Sequence, residues 1–379
     1  MLLVLCVHCA GRATVAPRRV TATASEALVR AALDAANVRA ATDAGRTPGG
    51  ATDRPREPDA PSSGVIDFAV GGEDVCVILD DRSVRCRPHE FLMTPEEVSP
   101  VTTVAGIPRA HHVDSAGRRV CVRDEAGASW CWGSVHWCDM DIQIEAPQRV
   151  PGITPGTEVA LPQQGLNDSG TDLQALTPAG AVVSLACPGE SMRSTRYGGP
   201  VRQLVVGGTT ACALLGDATV TCIEVDLPIA RVAGLVNAQE VRMGHLQACA
   251  RQADGAVRCW PVCAQGEISR SNCIGTRARG RVIRTWPVAG VAPLVALATG
   301  HGAACGLARD HTVWCWALPG WGVGARRGMA FGTPFQVPGL SDVERIDMES
   351  STLCALRSDR SLWCVADPQP GRRPQQMGW

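Results

Sequence analysis

The chain has 379 residues, a formal net charge of −1 and no lysine, since all 36 of its basic residues are arginine. A near-neutral charge gives no sign of the basic surface that binds nucleic acid. The absence of lysine excludes phosphate-loop, Schiff-base and lysine general-base chemistry.

Residues 1–20 start with the apolar run MLLVLCVHCA, which has no basic start and no clean small-residue cleavage site. We interpret this segment as the remnant of an export signal; the alternative is an ordinary disordered N-terminus. No stretch of the sequence reaches the roughly 18 apolar residues that a membrane-spanning helix needs. The sequence therefore predicts an exported protein without a transmembrane segment.

Residues 21–64 are rich in Ala, Thr, Pro, Arg and Gly, and they contain few large apolar side chains. Such a composition cannot bury a core of its own. The stretch TASEALVRAALDAANVRAATDAG within it could form a short helix behind a Ser or Thr cap. We predict a disordered or partly helical linker that ends at residue 64.

From residue 65 the same unit recurs: an apolar strand, a glycine near its end, and a hairpin with two cysteines ten positions apart. The six cysteine pairs are Cys76 with Cys86, Cys121 with Cys131, Cys212 with Cys222, Cys249 with Cys259, Cys305 with Cys315, and Cys354 with Cys364. A seventh copy is QALTPAGAVVS, in which Gln174 and Ser184 occupy the two cysteine positions. The joint loss of both cysteines is what a bonded pair predicts.

The seven hairpins follow one another at intervals of 37 to 56 residues. Intervals of this size are typical of propeller blades or helical solenoids, and the strand-like, turn-rich content excludes helices. The sequence therefore predicts an all-β fold over residues 65–379, a seven-bladed β-propeller.

The hairpin CARQADGAVRC shows why the cysteines are ten residues apart. A three-residue loop of Ala253, Asp254 and Gly255 predicts a type I turn with glycine in the left-handed position. Counting outward places Cys249 opposite Cys259, where the Cα atoms of neighbouring strands are about 4.5 to 5.5 Å apart, within the range of a disulfide. Zinc sites instead pair ligands two to four residues apart, so we predict disulfides rather than metal ligands, with free packed thiols as the alternative.

Four further cysteines lie between hairpins. Cys263 and Cys273 bracket the longest insertion, and we predict that they close it. Cys138 and Cys187 occupy similar places after the second and third hairpins, which makes a bond between blades plausible. Paired cysteines in this number indicate an oxidising compartment, either extracellular, periplasmic or at the outer cell surface.

A second marker precedes most of the hairpins: PQRVPGI (147–153), PIARVAGL (228–235), PVAGV (287–291) and PFQVPGL (334–340). The first unit begins without it. With the cysteine hairpins, this pattern resembles the regulator of chromosome condensation repeat family, in particular its bacterial, cysteine-bearing members. The resemblance covers residues 65–379 and implies a seven-bladed β-propeller. The family's Gly-Gln-Leu-Gly turn is missing, so no ligand site is carried over. The C-terminal PQQM matches the marker, and we predict that Pro374–Met377 closes the ring by pairing into the blade of Cys76 and Cys86.

No residues stand out as catalytic, metal-binding or cofactor-binding. His245 and His301 share a register four residues before a hairpin cysteine, but no carboxylate matches that register, so we interpret them as surface residues. There is no Gly-x-Ser-x-Gly elbow. Trp132, Trp260 and Trp316 each follow a hairpin cysteine, and this recurrence favours packing between blades over a binding cluster.

The irregular insertions are better candidates for function, because loops carry recognition on a rigid scaffold. Segments 87–103, 132–149, 260–286 and 316–333 mix apolar, aromatic and arginine residues, which are the side chains of interface anchors. The predicted binding residues are Phe91, Trp137, Trp321, Arg326 and Phe331.

These features predict a monomeric, exported, non-enzymatic binding module without a cofactor. Its partner would be a protein or a cell-surface ligand. One alternative is a proteinaceous enzyme inhibitor, as in a bacterial relative of this fold. The other is an extracellular polysaccharide hydrolase or lyase, which two or three carboxylates converging on a central funnel would favour.

Overall fold

The computed structural model describes residues 64–88, 100–137, 140–150, 153–163, 174–184, 193–207, 210–224, 229–244, 247–262, 282–317 and 333–379. The predicted export segment, all of the linker before residue 64, and the pairs Cys263–Cys273 and Cys138–Cys187 lie outside these residues. The described residues belong to one unit, Asp59–Trp379. No helix in this part of the chain is long and apolar enough to cross a membrane.

The described residues form thirty strands. In chain order these are β1 (Val65–Val70), β2 (Asp74–Leu79), β3 (Val84–Pro88), β4 (Thr102–Val104), β5 (Ala110–Ala116), β6 (Arg119–Asp124), β7 (Ser129–Trp137), β8 (Met140–Arg149), β9 (Glu158–Ala160), β10 (Pro162–Gln163), β11 (Gln174–Leu176), β12 (Val182–Ser184), β13 (Arg193–Thr195), β14 (Val201–Gly207), β15 (Thr210–Leu215), β16 (Val220–Glu224), β17 (Ala230–Val232), β18 (Ala238–Met243), β19 (Gln247–Gln252), β20 (Val257–Pro261), β21 (Val282–Ile283), β22 (Trp286–Val288), β23 (Leu294–Thr299), β24 (Ala303–Ala308), β25 (Val313–Ala317), β26 (Phe335–Gln336), β27 (Val343–Glu349), β28 (Thr352–Arg357), β29 (Leu362–Ala366) and β30 (Gln375–Gln376).

The strands assemble into seven sheets, which are the blades of a β-propeller, as the sequence predicts. Each blade has four antiparallel strands, and in all seven their spatial order follows their chain order; blade three, for example, runs β9, β11, β12, β13 from the inside out. Blade four has two additional short strands, because β10 pairs in parallel with its first strand β14, and β21 pairs in parallel with its outer strand β17.

The hairpin register agrees with the count made from the sequence. Cys249 lies opposite Cys259 and Ala250 opposite Arg258. The structure contains a disulfide at each of the six pairs ten residues apart, with Cα atoms 4.0 to 4.2 Å apart. A cross-link over so short a loop stabilises a blade by about 2–3 kcal/mol in the chain-entropy estimate.

The turn of each hairpin contains one residue in the left-handed conformation. These residues are Arg82, Gly127, Gly180, Ala218, Gly255, His311 and Arg360, with φ between 63° and 85°. Before each of the four that are not glycine stands an aspartate whose Oδ1 accepts the N–H two residues further on, as Asp81 does from Ser83 at 2.9 Å. This Asx turn stabilises a backbone conformation that L-residues otherwise rarely adopt.

The left-handed residue also joins each blade to the next. Its carbonyl oxygen accepts an N–H from the start of the following blade, for example from Ala110 to Arg82 at 3.2 Å. The same bond occurs at all seven junctions, including the one from Val65 back to Arg360, also at 3.2 Å. Blades seven and one are therefore joined by the same backbone contact as any other pair.

The predicted pairing of the C-terminal strand was wrong. Strand β30 pairs with β29, so that Gln375 lies opposite Cys364 in blade seven and not in the blade of Cys76 and Cys86. The C-terminus still contributes to closure, because Met377 and Trp379 pack in a cluster that includes Val65 and Phe68 of blade one. Blade one needs no strand from the C-terminus, since β4 supplies its fourth strand.

Tryptophans that follow a hairpin cysteine pack between blades, as the sequence predicts. Trp260 of blade five is fully buried against the cluster of Cys212 and Cys222 in blade four. Trp316 packs in the same way against blade five, and Trp132 against blade one. Each ring thus packs against the cluster that contains the disulfide cysteines of the preceding blade.

Candidate functional site

The inner strands of the blades surround the axis of the propeller and place charged residues there at two fixed positions. Counted back from the first cysteine, the ninth residue is Asp67, His112, Gln203, Glu240, Ala296 and Arg345 in blades one, two, four, five, six and seven. The seventh residue is Ala69, Asp114, Val205, Arg242, Ala298 and Asp347. We call Asp67, His112, Asp114, Glu240, Arg242, Arg345 and Asp347 the channel cluster.

Asp67 connects blade one to both of its neighbours. Its Oδ2 accepts hydrogen bonds from the backbone N–H of Val113 at 2.9 Å and from Nδ1 of His112 at 3.0 Å, both in blade two. Its Oδ1 forms an ion pair with the guanidinium of Arg345 in blade seven. The carboxylate is 7% exposed, so these partners replace its hydration almost completely.

The same inner-strand position bridges two further junctions. Gln203 of blade four exchanges hydrogen bonds with the backbone of Val241 in blade five, both at 2.9 Å. Glu240 of blade five accepts the N–H of Leu297 in blade six at 3.1 Å. An inner strand has no neighbour on its axial side, so its backbone amides need such acceptors.

The seventh position before the cysteine, two residues further along the inner strand, carries Asp114, Arg242 and Asp347, from blades two, five and seven. Asp347 Oδ2 accepts the N–H of Val70 at 2.8 Å, and Asp114 Oδ1 accepts that of Ser115 at 3.0 Å. Arg242 Nε donates to Glu240 at 3.0 Å, and its side chain is 44% exposed although it lies among the inner strands. The other three described residues at this position, Ala69, Val205 and Ala298, are small or apolar.

The pKa of Asp114 is raised from 3.8 to about 6, first because burial disfavours its charge and second because of the negative charge of Asp347. His112 and Arg242 oppose this shift, and Glu158 adds to it. Burial lowers the pKa of His112. Burial therefore keeps His112 largely uncharged at neutral pH.

A ring of glycines borders one end of the axis. A Cβ atom on Gly244 would lie 2.2 Å from the carbonyl oxygen of Gly300, and one on Gly300 would lie 2.3 Å from that of Ser350. At the same end, Glu349 of blade seven reaches blade two, where its Oε1 accepts the N–H of Gly117 at 2.7 Å. This end, which we call the glycine rim, is constricted by backbone in direct contact.

Carboxylates thus converge near the axis, but most of their oxygens are engaged in contacts within the protein. Both oxygens of Asp67 are bonded, and those of Glu240 bind Arg242, Arg251 and the Leu297 amide. Asp114 and Asp347 each have one oxygen on a backbone amide. Among the described residues, no group of three or more His, Cys, Asp or Glu could hold a metal ion.

The insertions predicted to bind are all attached to the glycine rim. Strands β3, β20 and β25 end there, since Pro88, Pro261 and Ala317 lie opposite the first residues of the second strands. In blade two, β7 and β8 continue past the pair Arg119–Gly133 as a two-stranded arm.

The structure describes one of the five predicted binding residues. Trp137 ends β7 at the tip of this arm, opposite Met140. Phe91, Trp321, Arg326 and Phe331 lie outside the described residues, as does His245. His301 lies at the glycine rim, where its backbone N–H donates a hydrogen bond to the backbone carbonyl of Ser350.

The channel cluster was missed in the sequence, although a signal for it exists there. Aligning the units on their first cysteine would have shown polar residues recurring nine positions before it, within otherwise apolar strands. A charged residue at a strand position that is apolar or small in other units indicates a specific partner. What the alignment cannot show is that these positions face one another across the axis.

No protein-family profile and no curated protein matches this chain. Several solved structures are similar to it in fold. Prp20p of Saccharomyces cerevisiae shares 13% identity at a TM-score of 0.51, over 75% of this chain and 80% of its own. The ectodomain of the Arabidopsis thaliana receptor kinase ACR4 is 18% identical to this chain at a TM-score of 0.50. The match covers 83% of this chain and 99% of that ectodomain. PorZ of Porphyromonas gingivalis is 9% identical at a TM-score of 0.51, and the match covers 84% of this chain and 38% of PorZ.

Fold and inner strands together define a β-propeller whose blades are linked by polar bridges around the axis. The likeness to Prp20p, to the ACR4 ectodomain and to PorZ, each below 25% identity, shows this β-propeller fold alone.

Proposed function

We propose that this protein is an exported binding module that holds a protein or a cell-surface ligand at its glycine rim. The observation that carries the proposal is topological: all four long insertions, with their apolar, aromatic and arginine residues, are attached to that single rim. The other end, which we call the turn rim, carries the seven short β-hairpins, five of which are closed by an Asx turn. A rigid ring with its variable segments on one side has the organisation of a recognition scaffold.

An oxidising compartment is part of the proposal. Six disulfides within single hairpins suit an extracellular or periplasmic protein better than a cytosolic one. Two of the similar structures support this, since one is the ectodomain of a receptor kinase and the other a bacterial surface component of a secretion system. The cysteine hairpins also favour the bacterial, cysteine-bearing members of the repeat family.

The test is capture of partners from surface and secreted fractions by the full-length exported protein. We expect Trp137→Ala and Trp321→Ala to reduce capture at least roughly tenfold, because aromatic anchors dominate interfaces. The matched control is Val236→Ala, since this side chain is 72% exposed and lies at the turn rim. Equal capture by all three variants would contradict binding at the glycine rim, and loss in the control alone would place it at the turn rim.

A polysaccharide hydrolase is the second candidate, because carboxylates do converge at the axis. Asp114 has a raised pKa of about 6, and Asp347 is the carboxylate that contributes to it. Glycosidases use two carboxyl groups that flank the scissile bond, and the acid among them has a raised pKa. Against this, both groups also hydrogen-bond backbone amides of the scaffold.

The variant Asp114→Asn separates the two candidates. The folded protein holds a proton on Asp114 more tightly than the unfolded chain, so the ionised carboxylate destabilises the fold at pH values above about 6 and does not below 3.8. If its role is structural, the variant is more stable by about 1–3 kcal/mol at pH 8, and this gain shrinks as the pH falls toward 4. Thermal unfolding of the wild type and of Asp114→Asn at a series of pH values measures this difference in stability.

Reducing-end release from a panel of polysaccharides is measured on the same proteins. For a binding module we expect no release by the wild type. Release by the wild type that Asp114→Asn abolishes would establish the hydrolase instead.

A further inference from the structure

The outer edge of blade four carries an added strand, β21, which comes from the long insertion of blade five. It pairs in parallel with β17, so that Val282 lies opposite Arg231 and Ile283 opposite Val232. Val232 and Ile283 are buried in the apolar cluster between blades four and five. Side chains alternate along a strand, so Arg231, Val282 and Arg284 lie on the opposite face. Both arginines are exposed there, and Val282 is 51% exposed.

Hydrogen bonds fix this added strand to the propeller. The N–H of Ala233 donates to the carbonyl of Ile283 at 2.8 Å. The hydroxyl of Thr285 donates to the carbonyl of Ala233 at 3.0 Å and accepts from Nε of Arg258 at 2.7 Å. Because both of its chain neighbours are held in this way, Arg284 starts from a fixed backbone position.

A third exposed arginine, Arg196, extends this face toward blade three. The hydroxyl of Thr221, in the third strand of blade four, donates to the carbonyl of Tyr197 at 2.9 Å. Thr221 lies opposite Arg231, and Arg196 directly precedes Tyr197. Arg196, Arg231 and Arg284 thus follow one another along the outer side of blades three and four. We call these three residues the arginine row.

The arginine row is a local excess of positive charge in a chain whose formal net charge is −1. Strands β13, β17 and β21, which border the row, contain no acidic residue. Asp217 lies near one end of it, since hydrogen bonds from Thr219 lower the pKa of this carboxyl and the charge of Arg231 lowers it further. The sequence RARGR (277–281), just before β21, adds three arginines that lie outside the described residues.

We propose that the arginine row binds an anionic polysaccharide of the cell surface. Guanidinium groups match sulfate, phosphate and carboxylate groups, which they bind through two parallel hydrogen bonds. Clustered arginines on a surface are typical of sites for heparin-like polymers or nucleic acid. The polysaccharide is favoured because the described row presents no aromatic ring on which bases could stack. The proposal rests on export, which is part of the proposed function, but it concerns a different surface from the glycine rim.

Binding to immobilised heparin by the full-length, oxidised protein tests this, with neutral dextran as the blank. We expect Arg231→Gln/Arg284→Gln to weaken heparin binding roughly three- to tenfold, because each exposed charge contributes modestly and the two losses add. The matched control is Arg372→Gln/Arg373→Gln, which removes the same charge from two exposed arginines of blade seven. This control should bind heparin as the wild type does. Thermal unfolding checks that both double variants are folded.

The proposal is overturned if the wild type does not bind heparin at physiological ionic strength. Equal weakening in the two double variants also overturns it, because net charge alone would then account for the binding. Tighter binding of double-stranded DNA than of heparin, lost in Arg231→Gln/Arg284→Gln, would assign the row to nucleic acid instead. Trp137→Ala should bind heparin as the wild type does, so this proposal and binding at the glycine rim can fail separately.

Discussion

Replacing Asp67 with alanine should destabilise the propeller by about 2–3 kcal/mol, because it removes the buried acceptor of the Val113 amide and the ion-pair partner of Arg345, whose side chain is 36% exposed. Arg345 forms an ion pair with Asp67 and lies over the ring of Phe68, 5.1 Å from its centroid. Burial already lowers the pKa of Arg345. The same substitution removes the acceptor of the Val113 amide, so the junctions of blade one with both neighbours are weakened at once. Chemical denaturation of the oxidised protein measures the loss.

An exposed ion pair provides the control for this experiment. Arg109 and Glu125 are 2.8 Å apart, with side chains 67% and 43% exposed. Glu125→Ala should lower the free energy of unfolding by less than about 1 kcal/mol, since solvent screens such exposed pairs. Asp67→Asn should fall between the two, because an amide oxygen can still accept from Val113 but carries no charge. Similar losses for Asp67→Ala and Glu125→Ala would show that the Asp67 junction contributes little.

The repeating part of the fold could be predicted from the sequence because it depends on local chemistry. A ten-residue spacing between cysteines and an aspartate or glycine in the turn fix the register of a hairpin, and Cys249 does lie opposite Cys259. The seventh hairpin was found without cysteines, and Gln174 lies opposite Ser184 as expected. Seven equivalent hairpins then leave few arrangements other than a ring.

Closure was predicted wrongly for a reason that is visible in the sequence. In the sequence the marker precedes most hairpins, which leaves the first unit without one and predicts that the C-terminus supplies it. In the structure the marker strand follows its own hairpin, as β26 does after β25. Blade one has its own copy in β4, which follows Pro100, so every blade is complete in chain order.

The channel cluster depends on contacts between residues far apart in the chain. Asp347 and Val70 are 277 positions apart, yet they share a hydrogen bond. Periodicity identifies the inner strand and its face, but the identity of the facing residue depends on how many blades close the ring. The carboxylates at the axis therefore could not be paired before the ring was known.

The glycines that end the inner strands were noted in the sequence as part of the unit, and the structure explains them. They sit where the backbones of consecutive blades touch, so any side chain must displace the next blade. A turn that only required a left-handed residue would tolerate asparagine or aspartate. The requirement here is space, which links the glycine of one blade to the backbone of its neighbour.

Gly244→Ala is accordingly expected to destabilise the protein by about 2–4 kcal/mol, at the upper end of what overpacking costs, because the obstacle is backbone. The new methyl would lie 2.2 Å from the carbonyl oxygen of Gly300, which is itself in contact with blade seven through Ser350. Gly378→Ala is the matched control, since a Cβ there meets nothing within 4 Å. Thermal unfolding distinguishes them, and equal midpoints would show that blades five and six can move apart freely. A methyl group on Gly244 would displace Gly300, and this displacement already relieves part of the clash between Gly300 and Ser350. The double variant Gly244→Ala/Gly300→Ala should therefore lose less unfolding free energy than the sum of the two single losses.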